Sequence, residues 1–141
     1  MSQNYKNHTR YVPMFHFFTG NAILLGLVGS IVNLFRSHPE THYAAALIVL
    51  IFIVLVFLFW YTRSFALKAQ DRAIRAEENF RHFILTGKPL DNQLRMSQII
   101  ALRFASDEEL PVLAKRAVEE KLSQKEIKLA ITNWKADYNR V

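Results

Sequence analysis

The chain has 141 residues, one domain's worth by length, and its 18 Lys+Arg against 12 Asp+Glu leave a net charge of +6. With 51% hydrophobic residues and no cysteine, neither a disordered chain nor a disulfide scaffold fits. Only three of the 30 charged residues, Arg10, Arg36 and Glu40, lie between Thr9 and Thr62, which excludes an ordinary soluble domain with charge spread over its surface.

Residues 1–14 form a polar N-terminal segment carrying Lys6 and Arg10. The first apolar stretch, residues 15–35, is 21 residues long, and about 31 Å of helix is enough to cross a hydrocarbon core. It is too long for a signal-peptide core and no A-x-A pattern follows it, so it is expected to stay in the mature protein. The second, residues 44–61, contains no charged residue. The connection Arg36-Ser37-His38-Pro39-Glu40-Thr41-His42 is short and carries a helix-breaking Pro39, so the spans are expected to be antiparallel neighbours, a transmembrane helical hairpin over residues 15–61. Basic residues gather outside the spans, with Lys6 and Arg10 before them and Arg63, Lys68, Arg72, Arg75 and Arg81 after, whereas the loop holds only Arg36. The positive-inside rule then puts both termini in the cytoplasm, with Tyr43, Trp60 and Tyr61 as interfacial aromatics.

The first span carries Ala22, Gly26 and Ser30 four residues apart, with Gly29 and Asn33 near the same face. Such a small-residue row lets another helix approach closely. It reads as packing within the hairpin, as contact between subunits or, with Asn21 and Asn33, as the lining of a pore. No ionisable residue sits at mid-span to couple ions or protons.

From Thr62 to Leu85 there is neither Pro nor Gly, so the second span is expected to continue as one long cytoplasmic helix over residues 62–88, ended by Thr86-Gly87-Lys88-Pro89. That helix would hold the terminal domain about 36 Å from the bilayer. Ala66, Ala69, Ala73, Ala76, Phe80 and Phe83 alternate spacings of three and four, the pattern of an a/d seam. Neighbouring subunits or the chain's own terminal helices would cover it equally well. Glu77 with Arg81, and Glu78 with His82, are candidate pairs on its surface.

Residues 89–141 read as a small helical domain of three helices. The first runs from Asp91 to Phe104. The second opens at the capping box Ser106-Asp107-Glu108-Glu109, delayed by Pro111, and ends near Lys121. The third opens at Ser123-Gln124-Lys125-Glu126 and passes through Ile127, Ala130, Ile131 and Trp134. Arg103 is placed to bridge to Asp107, and no alternating strand pattern appears. The protein reads as an all-α membrane protein.

Gln3-Asn4-Tyr5-Lys6-Asn7-His8 with Arg10, Pro13 and His16, the stretch from Ile100 to Pro111, and the ending Glu126-Ile127-Lys128, Ala130-Ile131 and Trp134 together resemble a family of small bacterial membrane proteins of unknown function. The resemblance covers nearly the whole chain. It implies a two-span protein of the bacterial inner membrane and supplies no activity.

Enzymatic and cofactor signatures are missing: no GxSxG, no phosphate-binding glycine loop and no HExxH. His38, Glu40 and His42 around Pro39 lack the regular spacing of a closed metal site. Asp107-Glu108-Glu109 is explained by its helix N-terminus. The basic excess suits anionic lipid rather than nucleic acid, which wants a denser one-sided patch with interleaved aromatics. The expected role is a non-enzymatic, self-associating structural or scaffolding protein. The rivals are an adaptor recruiting a soluble partner through the terminal helices, and a channel or transporter subunit.

Overall fold

A computed structural model describes Tyr5 and residues 11–137. Residues 1–4 and 6–10 of the expected N-terminal segment, which include Lys6, Arg10 and the Gln3–His8 motif except for Tyr5, lie outside the described residues. The architecture is all-helical, and the only β feature among the described residues is an isolated antiparallel bridge between Ala105 and Trp134. The chain divides into two compact units, meeting between Ala66 and Leu67.

In the first unit a π-helical turn, Met14–Thr19, runs directly into α1 (Gly20–Arg36). The Thr19 hydroxyl donates to Met14 O at 3.0 Å, and His16 Nδ1 lies 3.0 Å from Val12 O. The expected seven-residue connection is far shorter. Pro39 is the first residue of α2 (Pro39–Thr86), a position where its fixed φ suits the helix and its missing N–H is not needed. Ser37 closes the gap, its hydroxyl donating to Leu34 O at 2.8 Å and lying 2.9 Å from His42 Nδ1. α1 comes against α2 at Gly20, beside Phe59, and at Gly26, beside Phe52. The less exposed positions are Gly20, Ile23, Gly26, Leu27, Ser30 and Leu34 on α1 and Ala45, Val49, Phe52, Val56 and Phe59 on this part of α2. Most of their remaining apolar side chains are exposed.

In the second unit the end of α2 and three short helices enclose a core. The helices are α3 (Met96–Leu102), α4 (Leu110–Glu119) and α5 (Gln124–Ala130). Phe104, Leu102, Ile99, Leu110 and Ile127 are its largest fully buried side chains. The Phe104 ring lies 4.7 Å from the Arg103 guanidinium carbon and 5.0 Å from the Trp134 ring.

Each helix is shorter than the periodicity suggests. Asp91 does not cap α3: its carboxylate accepts from Gln93 N–H at 2.8 Å, making a side-chain turn that delays the helix to Met96. Ser106 accepts from Glu109 N–H at 3.3 Å, but Glu109 turns away to take Thr132 and Asn133, leaving the first capping box half made. The second box is complete: Ser123 Oγ accepts from Glu126 N–H and Glu126 Oε2 from Ser123 N–H. These hydrogen bonds hold the Glu126 carboxyl below its ordinary pKa. α5 stops at Ala130, and Trp134 pairs with Ala105 instead of extending it. Gly87 ends α2 with φ 72°, a left-handed conformation that glycine adopts freely. Lys121 ends α4 with φ 51°.

Candidate functional site

The small-residue row of α1 divides between two surfaces. Ser30 is buried at 5% exposure, its hydroxyl donating to Leu27 O at 2.8 Å. Gly26 faces the Phe52 ring so closely that a Cβ there would stand 2.1 Å from Phe52 Cε1. Here the absence of a side chain makes the helix contact possible. Gly20 lies against Phe59, whose ring stacks on Phe15 at 4.3 Å. Ala22, Gly29 and Asn33 are exposed, and nothing lies within 4 Å of a Cβ built on Gly29. Asn21 donates to Phe17 O of its own helix at 2.6 Å.

The predicted seam of α2 is also largely open. Ala69, Ala73 and Ala76 are exposed, Ala66 is half-buried, and Phe80 and Phe83 stand 63% and 51% exposed. Ile84 extends the apolar surface at 66% exposure. The terminal helices pack against the other side of α2, where Ile74 and Glu78 are buried and Arg81 nearly so. They fold back along the helix as far as Gln70, which lines a cavity with Ile74, Arg103 and Asp137. From Leu67 onward the helix and the terminal helices form one compact unit.

Arg81 explains which face is taken. Its guanidinium donates to Asp107 Oδ1 at 2.7 Å, to Ala105 O at 2.7 Å and to Glu78 Oε2 at 2.9 Å. A planar fork of five donors can bind three acceptors from two segments at once. The Arg81 hydrogen bond, then its charge, holds the Asp107 carboxyl below its ordinary range. The pairings expected from sequence spacing are therefore replaced. Arg81 takes Glu78 and Asp107 rather than Glu77. Arg103 pairs with Asp137 at 3.1 Å rather than with Asp107. His82 Nδ1 meets Lys88 O at 2.8 Å rather than Glu78.

A second tie had no sequence signal. Gln98, 3% exposed, accepts from Arg95 N–H at 2.8 Å and donates to Ala117 O and Leu122 O. It joins the start of α3 to the end of α4, satisfying carbonyls that a helix terminus leaves free. A glutamine three residues after an arginine carries no capping pattern, so periodicity could not find it.

The arrangement thus contains two satisfied internal interfaces and one open apolar stripe. Among the described residues no cluster of three metal-ligating side chains forms. The stripe is bordered by Arg72 on one side and Glu77 on the other, both exposed.

A family model covering residues 1–141 matches this chain; the family is described as one of unknown function, DUF6526. No curated protein and no solved structure matches it.

Proposed function

The chain belongs to that family, and since the family supplies no activity, we propose from the chain's own geometry that this is a self-associating membrane scaffold. In this reading α1 and the first part of α2 cross the bacterial inner membrane as a hairpin, with both termini cytoplasmic. Two helices, Met14–Arg36 and Pro39–Thr86, are long and apolar enough to span. Only 6% of the most apolar window of each is buried within the protein. A soluble core helix would bury most of such a surface, whereas lipid accepts it directly. Anionic lipid is the natural partner for the basic residues beyond the second span.

The observation that carries self-association is the stripe Ala69, Ala73, Ala76, Phe80 and Phe83. It lies beyond the charge-free segment on a helix rich in Arg and Glu. The terminal domain buries the face of Ile74 and Glu78 and reaches the stripe only at clefts bordering Ala73 and Ala76. Two half-exposed phenylalanines on such a helix mark a surface that another protein surface covers. The role is structural rather than enzymatic.

The test is the mass of the gently solubilised full chain. The scaffold reading expects an assembly of one polypeptide that Ala73→Glu converts to a smaller species, while the protease-resistant fragment after Thr62 persists. A monomer of unchanged mass in both proteins overturns it. Copurification of a second protein in place of self-association favours an adaptor. Impermeant labelling from outside at Ser37→Cys, and none at Lys125→Cys, is the expected topology.

A further inference from the structure

The open stripe carries information about its partner as well as its existence. With Ala66, Ala73 and Phe80 as one set of seam positions and Ala69, Ala76 and Phe83 as the other, the residues flanking the seam follow directly. On one edge stand Phe65, Arg72 and Asn79; on the other stand Gln70, Glu77 and Ile84. In a parallel pair of helices, an edge residue of one chain faces the opposite edge of its neighbour five residues further on. Five residues on from Arg72 is Glu77. The other two facing pairs, Phe65 with Gln70 and Asn79 with Ile84, are uncharged.

Both members of that pair are available. Among the described residues neither Arg72 nor Glu77 makes an ion pair or side-chain hydrogen bond, although Glu78 and Arg81 on the same helix are committed to the terminal domain. Arg72 and Glu77 border separate clefts, one towards Met96 and one towards Lys135. An antiparallel pairing would set Arg72 against Asn79 and Glu77 against Gln70, and the charge complementarity would be lost. One stripe per chain, meeting the same stripe of its neighbour, closes as a two-fold contact.

We infer that the stripe is occupied by the stripe of a second copy, parallel and in register, with Arg72 of each copy paired to Glu77 of the other. The inference rests on the scaffold reading, which supplies a common insertion direction for the two copies. Alanine at four of the six seam positions brings the helices close. Phe80 and Phe83 bury the apolar surface, and the charge pair selects direction and register.

Differently tagged full-length chains in mild detergent at low salt provide the test. Arg72→Glu alone and Glu77→Arg alone each place like charges at both symmetric pairs, and each is expected to weaken homomeric association about tenfold. Mixing the two variants restores both pairs, so one tag retrieves the other at wild-type level. The double variant R72E/E77R self-associates again. In the cysteine-free chain, Ala76→Cys is expected to form a disulfide between copies. Association unchanged in both single variants, or cross-linking of Ala69→Cys to Phe80→Cys in a mixture, overturns the parallel register while leaving self-association standing. Unchanged association in Ala73→Glu is the separate outcome that removes the scaffold reading itself.

Discussion

The hairpin unit and the terminal unit solve opposite problems with the same secondary structure. In the hairpin, residues 11–66, two helices touch along one narrow strip, and most other apolar side chains point outward. In the terminal unit, short helices wrap a small set of fully buried residues, and polar ties such as Arg81 and Gln98 join segments distant in sequence. The first gains nothing from water-driven burial over most of its circumference. The second depends on it. One long helix, α2, serves both units, which is why its apolar pattern changes character along its length.

The largest effect that separates them is expected from Phe104→Ala. Phe104 is fully buried, packed by Trp134 and beneath the Arg103 guanidinium. Removing a buried phenylalanine costs about 3–5 kcal/mol, a large part of what so small a core can supply. Limited proteolysis should show the fragment after Thr62 becoming cleavable, with residues 11–66 still protected. Loss of both together would show that the two units do not fold separately.

The hairpin has its own test in two glycines. Gly26→Leu drives a side chain into the Phe52 ring, and overpacking of this kind costs about 1–3 kcal/mol. A Cβ at Gly29 has nothing within 4 Å among the described residues, so Gly29→Leu is expected to be accommodated. A pair of cysteines across the hairpin, at Ser30 and Val49 in the register that Gly20–Phe59 and Gly26–Phe52 set, should cross-link less in Gly26→Leu and unchanged in Gly29→Leu. Equal behaviour of the two variants would refute the packing surface described for α1.

The smallest expected effect concerns Asp107, whose carboxyl Arg81 holds below its ordinary value of 3.8. A lowered acid pKa stabilises the fold above the unfolded value, and that contribution is lost as pH falls through the lower folded value. Asp107 is 61% exposed in its side chain, so at neutral pH the pair is worth under about 1 kcal/mol. Asp107→Asn should therefore leave the neutral-pH melting of the terminal unit nearly unchanged and reduce its acid sensitivity below pH ~4. An acid profile identical to that of the parent chain would show that the pair contributes nothing.

By itself the sequence determined the helices that depend on local terms: two long apolar stretches with a short connection, the Gly87 stop, and the Ser123–Glu126 capping box. These follow from composition, dihedral preference and hydrogen bonds within four residues. The small-residue row was legible as a contact surface, but it took the structure to assign Gly26 and Ser30 to the α2 contact and to leave Ala22, Gly29 and Asn33 outside it. Neighbouring positions on α1 differ by small rotations that residue size alone does not rank. The seam of α2 was visible as a stripe, yet the face chosen by the terminal helices was not. Ile74, Glu78 and Arg81 look like ordinary surface spacing until a guanidinium finds Ala105 O and Asp107 on a loop some 25 positions away. Such choices are made by long-range geometry, where a polar group is buried only against partners able to satisfy it, and local pattern carries no record of those partners.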